Sequence, residues 1–144
     1  KGYIGKLPRP TSWKDAVDLA KRIMSAQFTA LTEEDWLAYA QLTFEETPKG
    51  FQPRYDTALM KTLELVDLEQ PLPQLWPQFA GLSHVKVLAI RGENSDLLSP
   101  ETLEEMTRRH PACETYTVPG QGHAPLLRDE ASIGRIARFV AAID

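Results

Sequence analysis

The strongest constraint on the fold is a short, nearly unbroken apolar run, VKVLAI, at residues 85–90. Such a run is typical of a strand buried on both faces, as in a parallel sheet covered by helices. Residues 114–118 are rich in Thr, Tyr and Val and predict a second strand. Between the two strands, Ser99 and Pro100 supply an N-cap and a favourable first helical residue. With a closing helix over 132–143, this order predicts an α/β fold with a doubly wound, mostly parallel sheet.

Two strands alone make a poor sheet, because their outer edges stay unpaired and two helices cannot cover both faces. The α/β region is therefore expected to need partner strands that the sequence does not contain. The chain also begins with Lys1 instead of a methionine, which we interpret as a cut end. The apolar residues of the closing helix are predicted to face inward: Ile133, Ile136, Ala137, Phe139, Val140 and Ile143.

Residues 1–80 have a different character and are predicted to be helical, without strands. Ser12 and Thr32 each stand three residues before an aspartate, the spacing of a capping box, and apolar residues follow both at helical intervals. A third helix is predicted over 57–66, and the QPLP stretch at 70–73 marks a linker. The chain is thus divided into a helical region, 1–80, and an α/β region, 81–144.

Composition narrows the classes of function. The 16 basic and 20 acidic side chains give a net charge of −4, and they are interleaved along the chain. This pattern argues against nucleic-acid binding, which needs clustered Lys and Arg. No stretch reaches the roughly 18 apolar residues of a membrane span. Cys113 is the only cysteine, so no disulfide framework or cysteine metal site is expected, and a cytoplasmic location is the favoured expectation.

Two loops at strand ends carry the residues that are candidates for catalysis. The first, 91–96, follows the buried strand and ends in Asp96; the second, 119–125, follows the next strand and contains His123. In a parallel sheet one crossover brings both loops to the same edge, where ligand and catalytic groups gather. An Asp–His pair there has the ingredients of a general base and its orienting acid. His110 closes a predicted helix and is interpreted as structural.

The sequences GENSDLLS at 92–99 and GQGHAP at 120–125 resemble the acid and histidine loops of the α/β-hydrolase superfamily. The resemblance covers residues 84–144 and is close to cap-bearing, esterase-like members. It implies that Asp96 is the triad acid and His123 the triad histidine, with Glu93 as a local competitor for the acid. It also implies that residues 1–80 are the helical cap and 81–144 the C-terminal strand-helix-strand-helix part of the core.

One element of the family pattern is missing. The triad nucleophile of that superfamily stands in a G-x-S-x-G turn between a strand and a helix, and it precedes the acid in the chain. The nearest match, GLSHV at 81–85, lacks the second glycine and leads into a strand instead of following one. No nucleophile is therefore assigned in this chain, and the N-terminal half of the core is expected on the same protein or on a companion chain.

The resemblance implies a serine-type hydrolase that acts on a small carboxylic ester or a related acyl substrate, without metal or organic cofactor. Epoxide opening, dehalogenation and C–C bond hydrolysis occur on the same scaffold, and an Asp nucleophile would signal the first two. The alternative is a non-catalytic fragment or binding module that needs a companion chain to supply the nucleophile. In either case the isolated chain is expected to be inactive.

Overall fold

The computed structural model describes residues 8–56, 58 and 73–143, which contain both α-helices and short strands. None of the helices in these ranges is both long and apolar enough to cross a membrane. In chain order the elements are α1 (Trp13–Met24), α2 (Glu33–Thr43), β1 (Phe44–Thr47), β2 (Gly50–Pro53), α3 (Trp76–Ala80), β3 (Val87–Gly92), α4 (Pro100–Arg109), β4 (Cys113–Val118) and α5 (Glu130–Ala141).

The described residues form two compact units. The first contains residues 8–26 and the described residues between 31 and 72; the second contains Gln27–Ala30 and residues 73–143. The second unit thus includes a short segment that lies between α1 and α2 in the chain. The helix predicted over 57–66 and most of the linker predicted at 70–73 lie outside the described residues.

The two predicted helix starts of the first unit are confirmed. The Ser12 hydroxyl accepts a hydrogen bond from the Asp15 amide at 3.1 Å, and the Asp15 carboxylate accepts from the Thr11 amide at 2.9 Å. Thr32 and Asp35 form a complete capping box, in which each side chain accepts from the other residue's amide. These caps satisfy amides that a helix start leaves without a partner in the helix itself.

The prediction that the first 80 residues contain no strand is wrong. The strands β1 and β2 form an antiparallel hairpin, and Gly50 turns the chain with a φ of +91°. The Thr47 hydroxyl donates to the Gly50 carbonyl at 2.8 Å and accepts from the Lys49 amide at 3.1 Å. Turn residues that we interpreted as a break between helices therefore close a hairpin. It places Phe44 and Phe51 in the core of the first unit, with Ala16, Leu19 and Ala40.

A parallel pair of strands organises the second unit. The register of β3 and β4 runs from Val87 beside Cys113 to Gly92 beside Val118. On one face, Leu103 of α4 packs against Ala89 and Cys113. On the other face, α5 is tied to β4 by two side-chain contacts, Arg135 to Glu114 at 2.5 Å and Ser132 to Tyr116 at 3.4 Å. The predicted strand-helix-strand-helix order is confirmed, with boundaries shifted by one to two residues.

The prediction that the apolar residues of α5 face inward is only partly correct, because Ile136 and Phe139 are half-buried while the others are exposed. Ile133 is 54% exposed, Val140 is 58% exposed and Ile143, just after the helix, is 52% exposed. The fully buried residue of α5 is Ser132, and the helix begins earlier than predicted because Asp129 caps it by accepting from the Ser132 amide at 2.8 Å. The pair of strands is too narrow to cover the whole apolar stripe of this helix.

Among the described residues, His110 is the largest of the side chains that are essentially fully buried. Its Nδ1 accepts a hydrogen bond from the Ala112 amide at 3.1 Å, so the proton of the neutral ring lies on Nε2, which donates to the Leu82 carbonyl at 2.9 Å. The ring also contacts Phe79 of α3, with centroids 5.4 Å apart. His110 therefore fastens α3 and the turn after it to the end of α4, a structural role as predicted.

Replacing His110 should destabilise the protein far more than replacing the exposed His84. His110→Ala removes two hydrogen bonds and leaves a cavity, so we expect the free energy of unfolding to fall by about 2–4 kcal/mol. His84→Ala, the matched control, should change it by less than about 0.5 kcal/mol. Urea unfolding measures both values, and equal effects of the two substitutions would contradict the structural role.

Candidate active site

Two loops leave the same edge of the β3–β4 pair, because the strands are parallel. We call them the β3 loop (residues 93–98) and the β4 loop (residues 119–126). Their backbones are hydrogen-bonded at the base: the Glu93 amide donates to the Val118 carbonyl and the Asn94 amide to the Gln121 carbonyl, both at 2.9 Å. The two predicted site residues therefore lie on loops that contact each other directly.

The glycine that ends β3 permits this contact. A Cβ atom on Gly92 would lie 2.1 Å from the Gly122 carbonyl oxygen and 2.4 Å from that of Gln121. Both distances are far below van der Waals contact, and the neighbouring atoms are backbone, which cannot move aside as a side chain would. Gly92 thus allows a close backbone approach that no other residue type could make.

The β3 loop is held in shape from within. Arg91, only 7% exposed, donates from Nε to the Leu98 carbonyl at 2.6 Å and from Nη2 to the Ser95 carbonyl at 3.5 Å. The buried Ser95 hydroxyl accepts from the amides of Leu97 and Leu98 at 3.3 and 3.1 Å. Asp96 lies on this turn with an exposed side chain. The backbone around Asp96 is therefore held in place, and the residue lies at the surface.

The β4 loop is held by two side-chain oxygens. The buried Gln121 accepts a hydrogen bond at Oε1 from the Leu126 amide at 2.7 Å, which closes the loop around His123. The Glu93 carboxylate accepts from the Gly120 amide, also at 2.7 Å. Glu93, the local competitor for the acid role, is thus engaged with backbone at the start of the β4 loop. His123 is exposed, like Asp96.

A third chain segment completes the site and was not predicted. The carbonyl of Gln27 accepts from the Asn94 side chain at 2.8 Å. The amides of Thr29 and Ala30 donate to the Gly120 carbonyl at 2.8 and 3.3 Å. We call residues 27–30 the strap. Nothing in its sequence distinguishes it, because the strap binds mainly through its own backbone groups and its contacts with the β3 loop span more than 60 residues of chain.

Two residues with side chains that could act as nucleophiles, Ser83 and Cys113, lie away from the two loops. Ser83 is exposed in the turn after α3, with its amide donating to the Ala80 carbonyl at 3.1 Å. Cys113 begins β4, at the end of the strand opposite the loops, and is buried against Ala89 and Leu103. Burial raises the pKa of the Cys113 thiol, so little of the reactive thiolate forms near neutral pH. Neither residue has the position of a triad nucleophile.

The buried thiol should react slowly in the folded protein. At pH 8 we expect a disulfide reagent such as DTNB to label Cys113 much more slowly in buffer than in urea, and the native rate should still rise as the pH increases above 8, because the pKa of the thiol is raised. Spectrophotometric labelling of the single cysteine measures both rates. Native labelling as fast as in urea would show that Cys113 is accessible and would reopen a nucleophilic role.

The close approach at Gly92 generates a stability prediction with an internal control. Gly92→Ala should force the two loops apart and lower the free energy of unfolding by about 1–3 kcal/mol. In Gly134→Ala, on α5, the added Cβ meets nothing nearer than an Arg138 nitrogen at 3.4 Å, so helix propensity should raise the free energy of unfolding by about 0.5–1 kcal/mol. Urea unfolding compares the two variants, and a neutral Gly92→Ala would contradict the contact.

The known proteins that this chain resembles in sequence or structure include several hydrolases. No protein-family model matches the chain. It is 40% identical over 65 residues to a 3-hydroxybutyrate-oligomer hydrolase of Cupriavidus necator, an overlap that covers 45% of this chain and 22% of that protein. An α/β hydrolase from Novosphingobium aromaticivorans superposes with a TM-score of 0.84 and 30% identity, over 97% of this chain and 49% of the other. An E-2-(acetamidomethylene)succinate hydrolase superposes with a TM-score of 0.65 and 22% identity, over 94% and 47%.

The shares of length agree with the sequence-based expectation of a C-terminal part. The chain spans about half the length of the solved structures that it matches. Its described residues form helices together with one small antiparallel and one small parallel sheet. In fold, the chain is therefore similar to α/β hydrolases over about half of their length.

Proposed function

We propose that this chain carries the acid and the histidine of a serine-type hydrolase that cleaves a small carboxylic ester or a related acyl compound. The observation that carries the proposal is the direct backbone contact between the β3 and β4 loops, which hold Asp96 and His123. Both side chains are exposed on loops whose backbones are fixed. The similarity to a 3-hydroxybutyrate-oligomer hydrolase agrees with this substrate class, because hydroxy acids oligomerise through ester bonds.

In this proposal the two residues have distinct tasks. His123 takes the proton of the nucleophile as that oxygen attacks the acyl carbon, and then delivers the proton to the leaving alcohol. Asp96 accepts a hydrogen bond from the ring of His123, which selects the required tautomer and stabilises the imidazolium that forms. The second half of the reaction repeats the same proton transfers with water as the nucleophile. Residues 1–80 act as the cap that selects substrate shape and excludes water.

The nucleophile is proposed to lie on strands that pair with the outer edge of β3. Among residues 8–56 and 73–143, β3 pairs with β4 alone, so its other edge has no partner there. The half-exposed apolar residues of α5 would also be buried by further strands. A parallel strand of this kind is normally buried on both sides by neighbours. The N-terminal half of a hydrolase core, on the same protein or a companion chain, would supply both the strands and the nucleophile turn.

The same unpaired edge favours the second candidate, a binding module. If the partner supplies strands but no nucleophile, the complex would bind a ligand at the two loops without turning it over. A G-x-S-x-G sequence in the polypeptide that precedes Lys1, or in a copurifying chain, distinguishes the two candidates. Denaturing mass spectrometry of the purified material identifies either source.

The proposed roles are tested by substitutions in the complete assembly, with a short-chain p-nitrophenyl ester as the substrate. Asp96→Asn and His123→Ala should each lower kcat by about 10³–10⁴-fold without loss of the fold. Glu93→Gln keeps an oxygen that can accept from the Gly120 amide, so it should lower kcat by less than about tenfold. Steady-state kinetics and circular dichroism measure activity and fold.

The isolated 144-residue chain is the matched control and should show no hydrolysis above background. Full activity of Asp96→Asn together with a large loss in Glu93→Gln would assign the acid role to Glu93. Hydrolysis by the isolated chain that disappears in His123→Ala would refute the need for a nucleophile from elsewhere.

A further inference from the structure

We propose that Asn94 is a positioning residue for the proposed Asp96–His123 pair, acting by fastening both catalytic loops to the strap, residues 27–30. This inference rests on the proposed function and adds to it a residue and a chain segment that the triad itself does not include. Hydrogen bonds between the strap and the two loops carry it, and they fall on residues 94, 120 and 123, none more than three residues from Asp96 or His123.

Asn94 is the junction of the three segments. Its amide donates to the Gln121 carbonyl of the β4 loop at 2.9 Å. Its side-chain Nδ2 donates to the Gln27 carbonyl of the strap at 2.8 Å and lies 3.5 Å from the Thr29 hydroxyl. It stands two residues before Asp96, and its partner Gln121 stands two residues before His123. One residue therefore links the backbones of both loops to a third element.

The strap contacts the β4 loop independently of Asn94. Thr29 and Ala30 donate their amides to the Gly120 carbonyl at 2.8 and 3.3 Å. The Gln27 side chain lies against the backbone just before His123: a Cβ on Gly122 would be 2.5 Å from Gln27 Oε1, and the His123 amide is 3.5 Å from the same oxygen. The strap and the two loops thus form a closed triangle of contacts, in which each side restrains the other two.

The side chain at position 94 must supply a hydrogen-bond donor. The strap offers a carbonyl oxygen, so the side chain that binds it must donate a hydrogen bond. An aspartate has nearly the same shape but, when ionised, offers only acceptors and would place a charged oxygen against the Gln27 carbonyl. Asn94→Asp therefore opens the triangle with little change in volume.

The expected consequence is a loss of turnover, not of substrate binding. A misplacement of about 1 Å in a catalytic group can cost about 100-fold in rate. We therefore expect Asn94→Asp to lower kcat by roughly 10–100-fold and to leave KM within about twofold, because the proposed role of Asn94 is to position the catalytic groups and not to bind substrate. Loss of a purely structural contact would instead lower the midpoint of thermal unfolding and leave kcat of the folded enzyme unchanged.

The experiment compares three variants in the complete assembly with the same p-nitrophenyl ester. Asn94→Asp opens the junction. Thr107→Val is the matched control, because it also removes a side-chain hydrogen bond to backbone, from Thr107 to the Leu103 carbonyl at 3.3 Å. Thr107 lies near the end of α4 that is away from the β3 loop. His123→Ala reports whether the proposed function holds. Hydrogen exchange of the Thr29 and Ala30 amides in the unsubstituted protein and in Asn94→Asp reports on the strap itself.

Each outcome has one meaning. A fall in kcat with unchanged KM in Asn94→Asp, faster exchange of the two strap amides and a normal Thr107→Val support the proposal. Unchanged kcat in folded Asn94→Asp, or equal losses in Asn94→Asp and Thr107→Val, overturn the positioning role while His123→Ala still shows that the proposed function holds. If His123→Ala keeps full activity, the proposed function fails and the positioning role fails with it, and the exchange data alone then describe the strap.

Discussion

The approach of the Gly92 backbone to the Gln121–Gly122 backbone is the contact on which the proposed site depends. These carbonyl oxygens occupy the space that a side chain at position 92 would fill. The backbones of the two loops therefore pack directly against each other where they leave the strands. This packing brings the amides of Glu93 and Asn94 within hydrogen-bonding distance of carbonyl groups of β4 and its loop. Without that approach, Asp96 and His123 would lie on two separate loops, each free to move relative to the other.

The fold of the α/β region follows from local sequence signals that agree with one another. The apolar run at 85–90, the Ser99–Pro100 helix start and the alternation before Val118 each specify one element, and the structure contains all three. The hairpin of β1 and β2 was missed because Pro48 and Gly50 break a helix and close a hairpin equally well. Tertiary burial of Phe44 and Phe51 decides between the two, and that burial is not visible in a local pattern.

The site divides in the same way between predictable and unpredictable parts. Strand ends and turn residues point to the loops of Asp96 and His123, because parallel strands bring their carboxyl ends to one edge. The supporting contacts follow no such rule. Arg91 and Gln121 are polar residues buried to bind backbone carbonyl and amide groups, and the strap binds through its own backbone. Such contacts depend on where distant segments meet, which side-chain identity alone does not specify.

The exposure of Asp96 and His123 and the exposure of the apolar residues of α5 have one physical origin. A two-stranded sheet is narrow: α4 covers one of its faces, α5 is held to the other face through β4, and the two loops and the strap pack together at its carboxyl end. Within residues 8–56 and 73–143, this arrangement leaves uncovered the outer edge of β3, the apolar residues Ile133 and Val140 of α5, and the exposed side of the two loops. Further strands beside β3 would extend the sheet beneath the stripe of α5 and would also carry their own loops to the edge where Asp96 and His123 lie. Completion of the core and completion of the catalytic site are therefore the same structural event in this scheme.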